Sequence, residues 1–263
     1  MNKTLLPILT AALLAGASQS QALILISEVN SNGTGGDFFE IYNTGSSSVD
    51  LTGWRWSDRD LRSWSSASIF DSDTLNPGEV AVIGVGSNTA SPTPLFGSAT
   101  ANSAFRSSWG LLSSVKMLTW TGTGAGLGSG DGVVLFNSTG NVAASLIYRV
   151  LPTAEFATQS DSSTVQLATF IKATSPQPSA NGHAGVMGGG VATDSLIWNY
   201  WGSTAENPTY FSSSTVGFGG AFANTTSSTT IGSPGVVPEP SSAALLGFGT
   251  LALLGLRRLN RKS

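Results

Sequence analysis

Between its two ends the chain alternates short apolar, β-branched runs with clusters of Gly, Ser, Asn and Pro. The repeat is roughly one run per 8–12 residues, the spacing of short strands joined by turns. Leu23-Ile24-Leu25-Ile26-Ser27-Glu28-Val29 predicts a first strand, ended by the loop Asn30 to Gly36. Asp37 to Asn43 predicts a second, stopped by Thr44-Gly45-Ser46-Ser47-Ser48. A third is expected over Val49 to Asp58, with Trp54 and Trp56 on one face because strand side chains alternate with period two. Leu75-Asn76-Pro77-Gly78-Glu79 reads as a turn feeding a strand over Val80 to Val85. No helical period competes over these segments.

Further along, Asp131 to Phe136 and Asn141 to Tyr148 predict a hairpin turning over Asn137-Ser138-Thr139-Gly140-Asn141. Two stretches, 86–119 and 175–230, exceed what such a domain needs and are expected to be long loop insertions. Within the second, Ile197 to Trp201 is expected to form an extra edge strand or a surface clamp. The pattern as a whole is that of an all-β sandwich or barrel.

Several of these segments resemble a lamin-tail domain: Ile26-Ser27-Glu28-Val29, Phe39-Glu40-Ile41-Tyr42-Asn43, Val49-Asp50-Leu51-Thr52-Gly53-Trp54 with Ser57-Asp58, and Leu75-Asn76-Pro77-Gly78-Glu79. Trp109, the hairpin after Asp131 and the closing Gly232-Ser233-Pro234-Gly235 continue the likeness. The resemblance implies an immunoglobulin-like β sandwich spanning 23–236. It also implies a structural hydrogen-bonding role for Glu28 and Glu40 within their strands.

The ends read differently. Lys3, the apolar run Leu5 to Ala17 and the small residues of Ser20-Gln21-Ala22 make residues 1–22 a secretory signal helix cleaved after Ala22. At the other end Val237-Pro238-Glu239-Pro240-Ser241-Ser242 precedes an unbroken apolar stretch, Ala243 to Leu256, and the basic segment 257–263 beginning Arg257-Arg258. A membrane-entering segment with a basic stop orients its charges to the cytoplasm. As a helix of about 1.5 Å per residue, 243–256 reaches about 21 Å, short of a hydrocarbon core of about 30 Å. Two readings follow: a short permanent anchor, or a transient hold before processing. Residues 237–263 resemble the PEP-CTERM sorting signal, with Pro238, Glu239, Pro240, Arg257 and Arg258 matching its motif. That resemblance implies recognition by an exosortase, transient inner-membrane anchoring through a short transmembrane helix, tail removal near Pro238-Glu239-Pro240, and release to the cell surface or extracellular matrix.

Charge narrows the partners. Between the two ends stand seven Lys or Arg against fourteen Asp or Glu. With no basic footprint there, nucleic acid is not an expected partner. The absence of cysteine removes disulfides and thiolate chemistry together.

Catalytic motifs are sparse. There is no Gly-x-Ser-x-Gly, and the single histidine, His183, lies in a Gly-rich stretch. Asp71-Ser72-Asp73 has the alternation of a calcium loop start, but Leu75 and Pro77 occupy the next ligand positions, so it is no EF-hand. Asp71 and Asp73 remain a candidate calcium pair; otherwise no cofactor is expected. Trp64, Trp109, Trp198, Tyr200, Trp201, Tyr210 and Phe211 lie in or beside the long segments. Core packing is the first reading for them, and stacking on sugar rings, centred on Trp198, Tyr200 and Trp201, the second. The expectation is a noncatalytic exported protein with a binding or structural role among exopolysaccharide or surface proteins. The alternative is a calcium-dependent extracellular polysaccharide hydrolase.

Overall fold

The computed structural model describes residues 24–31, 36–85, 99–122, 126–127, 131–149, 155–167, 169–171, 196–198, 211–213, 216–217 and 220–236. The expected signal helix 1–22 and transmembrane helix 243–256 lie outside these residues. Among the described helices none is long and apolar enough to cross a membrane.

Two sheets form a β sandwich. The first centres on β1 (Ile24–Asn30), β2 (Asp37–Asn43) and β7 (Val80–Val85), antiparallel neighbours in that order. Beyond β7 it adds β8 (Lys116–Leu118) in parallel, and beyond β1 it adds β15 (Leu196–Trp198) and β16 (Phe211–Ser213). The second sheet centres on β4 (Arg55–Asp58), β10 (Gly132–Phe136) and β11 (Val142–Arg149). It is extended on one side by β5 (Ser68–Phe70) and β9 (Trp120–Thr121), and on the other by β14 (Thr169–Ile171). Between the sheets pack Ile26, Val29, Phe39, Ile41, Trp54, Trp56, Ile83, Trp120, Val133 and Leu135. Trp56 is fully buried at their centre, 5.0 Å from the Phe39 ring and 5.1 Å edge-on to Trp120, whose Nε1 donates to the Gly84 carbonyl at 3.0 Å.

The expected third strand over Val49 to Asp58 is instead two. A two-residue strand, β3 (Val49–Asp50), pairs with β6 (Thr74–Leu75), and β4 begins only after a turn at Thr52 and Gly53. Gly53 sits at φ +76°, a left-handed conformation that interrupts an extended run and that glycine adopts without steric cost. The bend does not disturb the expectation for Trp54 and Trp56, which both enter the core.

The stretch 86–119, expected as loop, contains an α-helix, α1 (Ala99–Trp109), as well as β8. Phe105 and Trp109, one turn apart, bury against Phe38 and Val82 on the outer face of the first sheet. Phe222 of the hairpin β17 (Phe222–Asn224) and β18 (Ser227–Gly232) packs edge-on to Trp109 at 5.8 Å. Thr225 at its turn donates from its backbone N–H to the Ser108 carbonyl at 2.7 Å, satisfying an acceptor left over at the helix end. The second long stretch likewise yields structure: β15 pairs with β1, and β16 lies beyond it at the sheet edge. The outer face of the second sheet is also covered. Val134, Phe136 and Ile147 pack under Ala157 and Leu167, brought there by the hairpin β12 (Phe156–Thr158) and β13 (Thr164–Gln166). Covering both outer faces explains why β7 and β10 are buried at every position rather than at alternate ones.

Replacing Trp56 by Ala removes the residue both sheets share. We expect the domain to lose about 3–5 kcal/mol, read as a lowered urea midpoint with an unchanged denaturant slope.

Candidate functional site

The strand register sets two glutamates face to face. Glu28 of β1 is the Cα partner of Glu40 of β2, and both are 1% exposed. Such a pair survives burial only if fixed donors surround it. The closing segment supplies them across nearly the whole length of the domain. Ser233 donates its backbone N–H and its hydroxyl to the two oxygens of Glu28, each at 2.9 Å. Gly235 donates its N–H to Glu40 Oε2 at 2.6 Å, and Ser27 donates its hydroxyl to Glu40 Oε1 at 2.6 Å. The result is a clasp that holds the C-terminal end of the fold on the first sheet.

The clasp also holds protons more tightly than a free carboxylate would. Burial, and then the neighbouring Glu28 charge, push the Glu40 carboxyl well above the usual carboxylate range; the Ser27 and Gly235 bonds offset only part of this. Gly235 suits its place twice over: it lies at φ +77°, and a Cβ there would come within 2.5 Å of Val115 Cγ1.

A second polar cluster lies at one end of the other sheet. Glu155 pairs with Arg59 at 3.3 Å and with Arg62, while Asp131 accepts from the backbone N–H groups of Arg59 and Gly132. Asp58 accepts from the Leu61 N–H at 2.8 Å, and burial pushes its pKa up to about 6. These contacts pin the loop after β4.

Asp71 and Asp73 follow β5. Asp71 is exposed, whereas Asp73 accepts from the Lys116 ammonium at 3.2 Å, which also pairs with Glu79 at 3.2 Å and donates to the Thr74 carbonyl. An ammonium thus neutralises the charge that a calcium ion would need from Asp73. Among the described residues no group of three or more His, Asp or Glu is placed to hold a metal.

The aromatic candidates separate. Trp109 belongs to the buried cover over the first sheet, and Trp64 packs against the second, with the Arg55 guanidinium 4.3 Å from its ring centroid. Trp198 lies on β15 and Phe211 on β16, with only their backbones described. Tyr200, Trp201, Tyr210 and His183 lie outside the described residues, as do Ala22, Pro238, Glu239, Pro240, Arg257 and Arg258.

Beside the clasp is an open cleft of about 310 Å³, lined by Pro77, Glu79, Val80, Ser114, Lys116 and Gly235. Sequence reading recognised Glu28, Glu40 and the closing motif separately and missed that they meet. The available signal was two acids in otherwise apolar strands.

The sign of the pH dependence follows from the raised pKa values. The folded state binds protons that the unfolded chain has already lost, so stability is fully present at acidic pH and declines as pH rises through the folded pKa. Asp58 contributes its part by about pH 6. We expect a further decline, from the raised pKa of Glu40, that Glu40→Gln abolishes, measured as urea midpoints across pH; an unchanged decline in the variant would rule out the clasp as its source. Gly235→Ala is expected to cost more than about 1 kcal/mol at any pH, checked by the same unfolding curves.

Comparison with known families supplies the remaining context. The Lamin Tail Domain model matches residues 17–149, half of the chain, and ends with β11. The PEP-CTERM protein-sorting motif matches 236–262, starting one residue after Gly235 of the clasp. No curated protein and no solved structure matches the chain. The sorting motif marks an exported surface protein recognised by exosortase. The chain belongs to the lamin-tail domain family, and its immunoglobulin-like β sandwich ends where a PEP-CTERM sorting signal begins.

Proposed function

We propose that the protein is a noncatalytic module of the cell surface or extracellular matrix, binding or bearing load within exopolysaccharide. The tail is held transiently in the inner membrane and removed near Pro238-Glu239-Pro240. The observation that carries the reading is the clasp. Among the described residues, the pair of carboxylates that strand register brings face to face is buried and committed to holding Ser233 and Gly235. It therefore serves cohesion, as a module that must stay folded outside the cell without disulfides requires. The acidic balance of the segment between the termini also suits a surface that stays soluble among other export products.

The test is binding of the released protein to extracellular polysaccharide from an exosortase-bearing bacterium, with and without calcium, with glycan products sized in the same samples. Retention on the polysaccharide with no shortening of the glycan is expected. Shortened glycan that disappears in Asp71→Asn or Asp73→Asn would establish the calcium-dependent hydrolase instead. Mass spectrometry of the cell-bound form should find no peptide from 243–263; intact tail peptides would mean a permanent anchor.

A further inference from the structure

The fold leaves the sorting tail very little slack. Gly235 is fixed by the clasp, and the apolar stretch begins at Ala243, so only the seven residues 236–242 separate them. Fully extended, seven residues reach at most about 25 Å. While the tail is in a bilayer, the surface around Gly235 must therefore stand within that distance of the membrane and of the enzyme that processes the tail.

That surface is a built one. The loop 110–115 is tied down by Arg106 from the last turn of α1, which donates to the Leu112 carbonyl and, at 2.6 Å, to the Val115 carbonyl. Val115 packs directly against Gly235, and Ser114, Val115 and Lys116 line one wall of the cleft beside it. Three residues back along this rigid loop Leu112 is 74% exposed, an apolar side chain held out into solvent. Across the cleft stands the Pro77 turn with Glu79. Asp73 and Glu79 place two carboxylates around the single ammonium of Lys116. With the Arg106 guanidinium on the Leu112 and Val115 carbonyls, the two carboxylates are balanced by two cations, so the rim has no net positive charge to draw it onto anionic lipid headgroups, and an apolar side chain on such a neutral rim suits an apolar pocket on a protein.

We propose that the Leu112 loop and the cleft beside Gly235 form the face on which the folded domain docks against the extracytoplasmic surface of the exosortase, with Leu112 as the apolar anchor. A short stem makes this docking nearly intramolecular. The effective concentration is high, so a small contact suffices, and it is lost once the tail is removed and the tether with it. The inference rests on the tail being membrane-held during sorting and is independent of any role in the matrix.

The full chain, coexpressed with its exosortase, carries a photo-cross-linking residue at Ser114, at Ser163 on the exposed turn of the hairpin covering the other sheet, or at Ser241 in the tail. Adducts with the exosortase are expected from Ser241 and Ser114 and not from Ser163. Leu112→Asp should slow tail removal about tenfold, with Leu112→Ala in the same direction, while the released domain keeps its resistance to protease. Inserting about twenty Gly and Ser residues between Val236 and Val237 should weaken the Ser114 adduct and equalise the rates of wild type and variant. An adduct from Ser241 without one from Ser114, equal adducts from Ser114 and Ser163, or unchanged tail removal in both Leu112 variants would overturn the docking face. Absence of an adduct even from Ser241 would overturn membrane-held sorting and the docking face with it.

Discussion

A buried pair of opposed carboxylates constrains everything around it. Glu28 and Glu40 stand on adjacent strands in direct register, inside a sheet whose other face is solid hydrocarbon. Left open, they would bring water or charge repulsion into the middle of the fold. Ser233, Gly235 and Ser27 close the pair, and each bond to the Glu28 carboxylate can contribute about 1.5–3 kcal/mol, more than a neutral one. The pair thereby makes the domain's last residues indispensable to its first. It also decides where the chain leaves the fold, and hence where the sorting signal starts.

The cover over the first sheet follows from the same constraint. Phe38 and Val82 share the outer face with Glu40, so that face is too apolar to meet water and too acidic to be simply greased. Helix α1 and the β17–β18 hairpin exclude water from it, and the hairpin's strand β18 leads straight into Ser233. Thr225 ties hairpin to helix, and Arg106 ties helix to the loop that abuts Gly235. Segments that looked like optional insertions are therefore one connected layer. The clasp lies beneath it, and the exit of the tail is at its edge.

Local pattern carried the reading of the sandwich a long way. The runs at Ile24–Asn30, Asp37–Asn43, Val80–Val85 and Gly132–Phe136 are strands because their side chains are β-branched or aromatic and their boundaries are marked by Gly, Asn and Pro. Trp54 and Trp56 enter the core as strand alternation requires, although Gly53 breaks the strand before them. Helix α1 was hidden because Thr100, Asn102, Ser103, Ser107 and Ser108 are weak helix formers, and only Phe105 and Trp109 mark its buried side. Tertiary packing, not propensity, makes it a helix. The clasp was illegible for a different reason. Glu28 and Ser233 are separated by 205 positions, and no local periodicity reports on a partner so far away.

Native-state hydrogen exchange of the Ser233 and Gly235 amides tests the central claim most directly. Corrected for intrinsic rates, both should be protected to the same depth as the amides of Phe39 and Ile41 in β2, and Glu40→Ala should strip that protection from Gly235 first. Exchange of the two amides at the rate of an exposed turn would contradict the account, because the tail would then leave a frayed end rather than a closed fold.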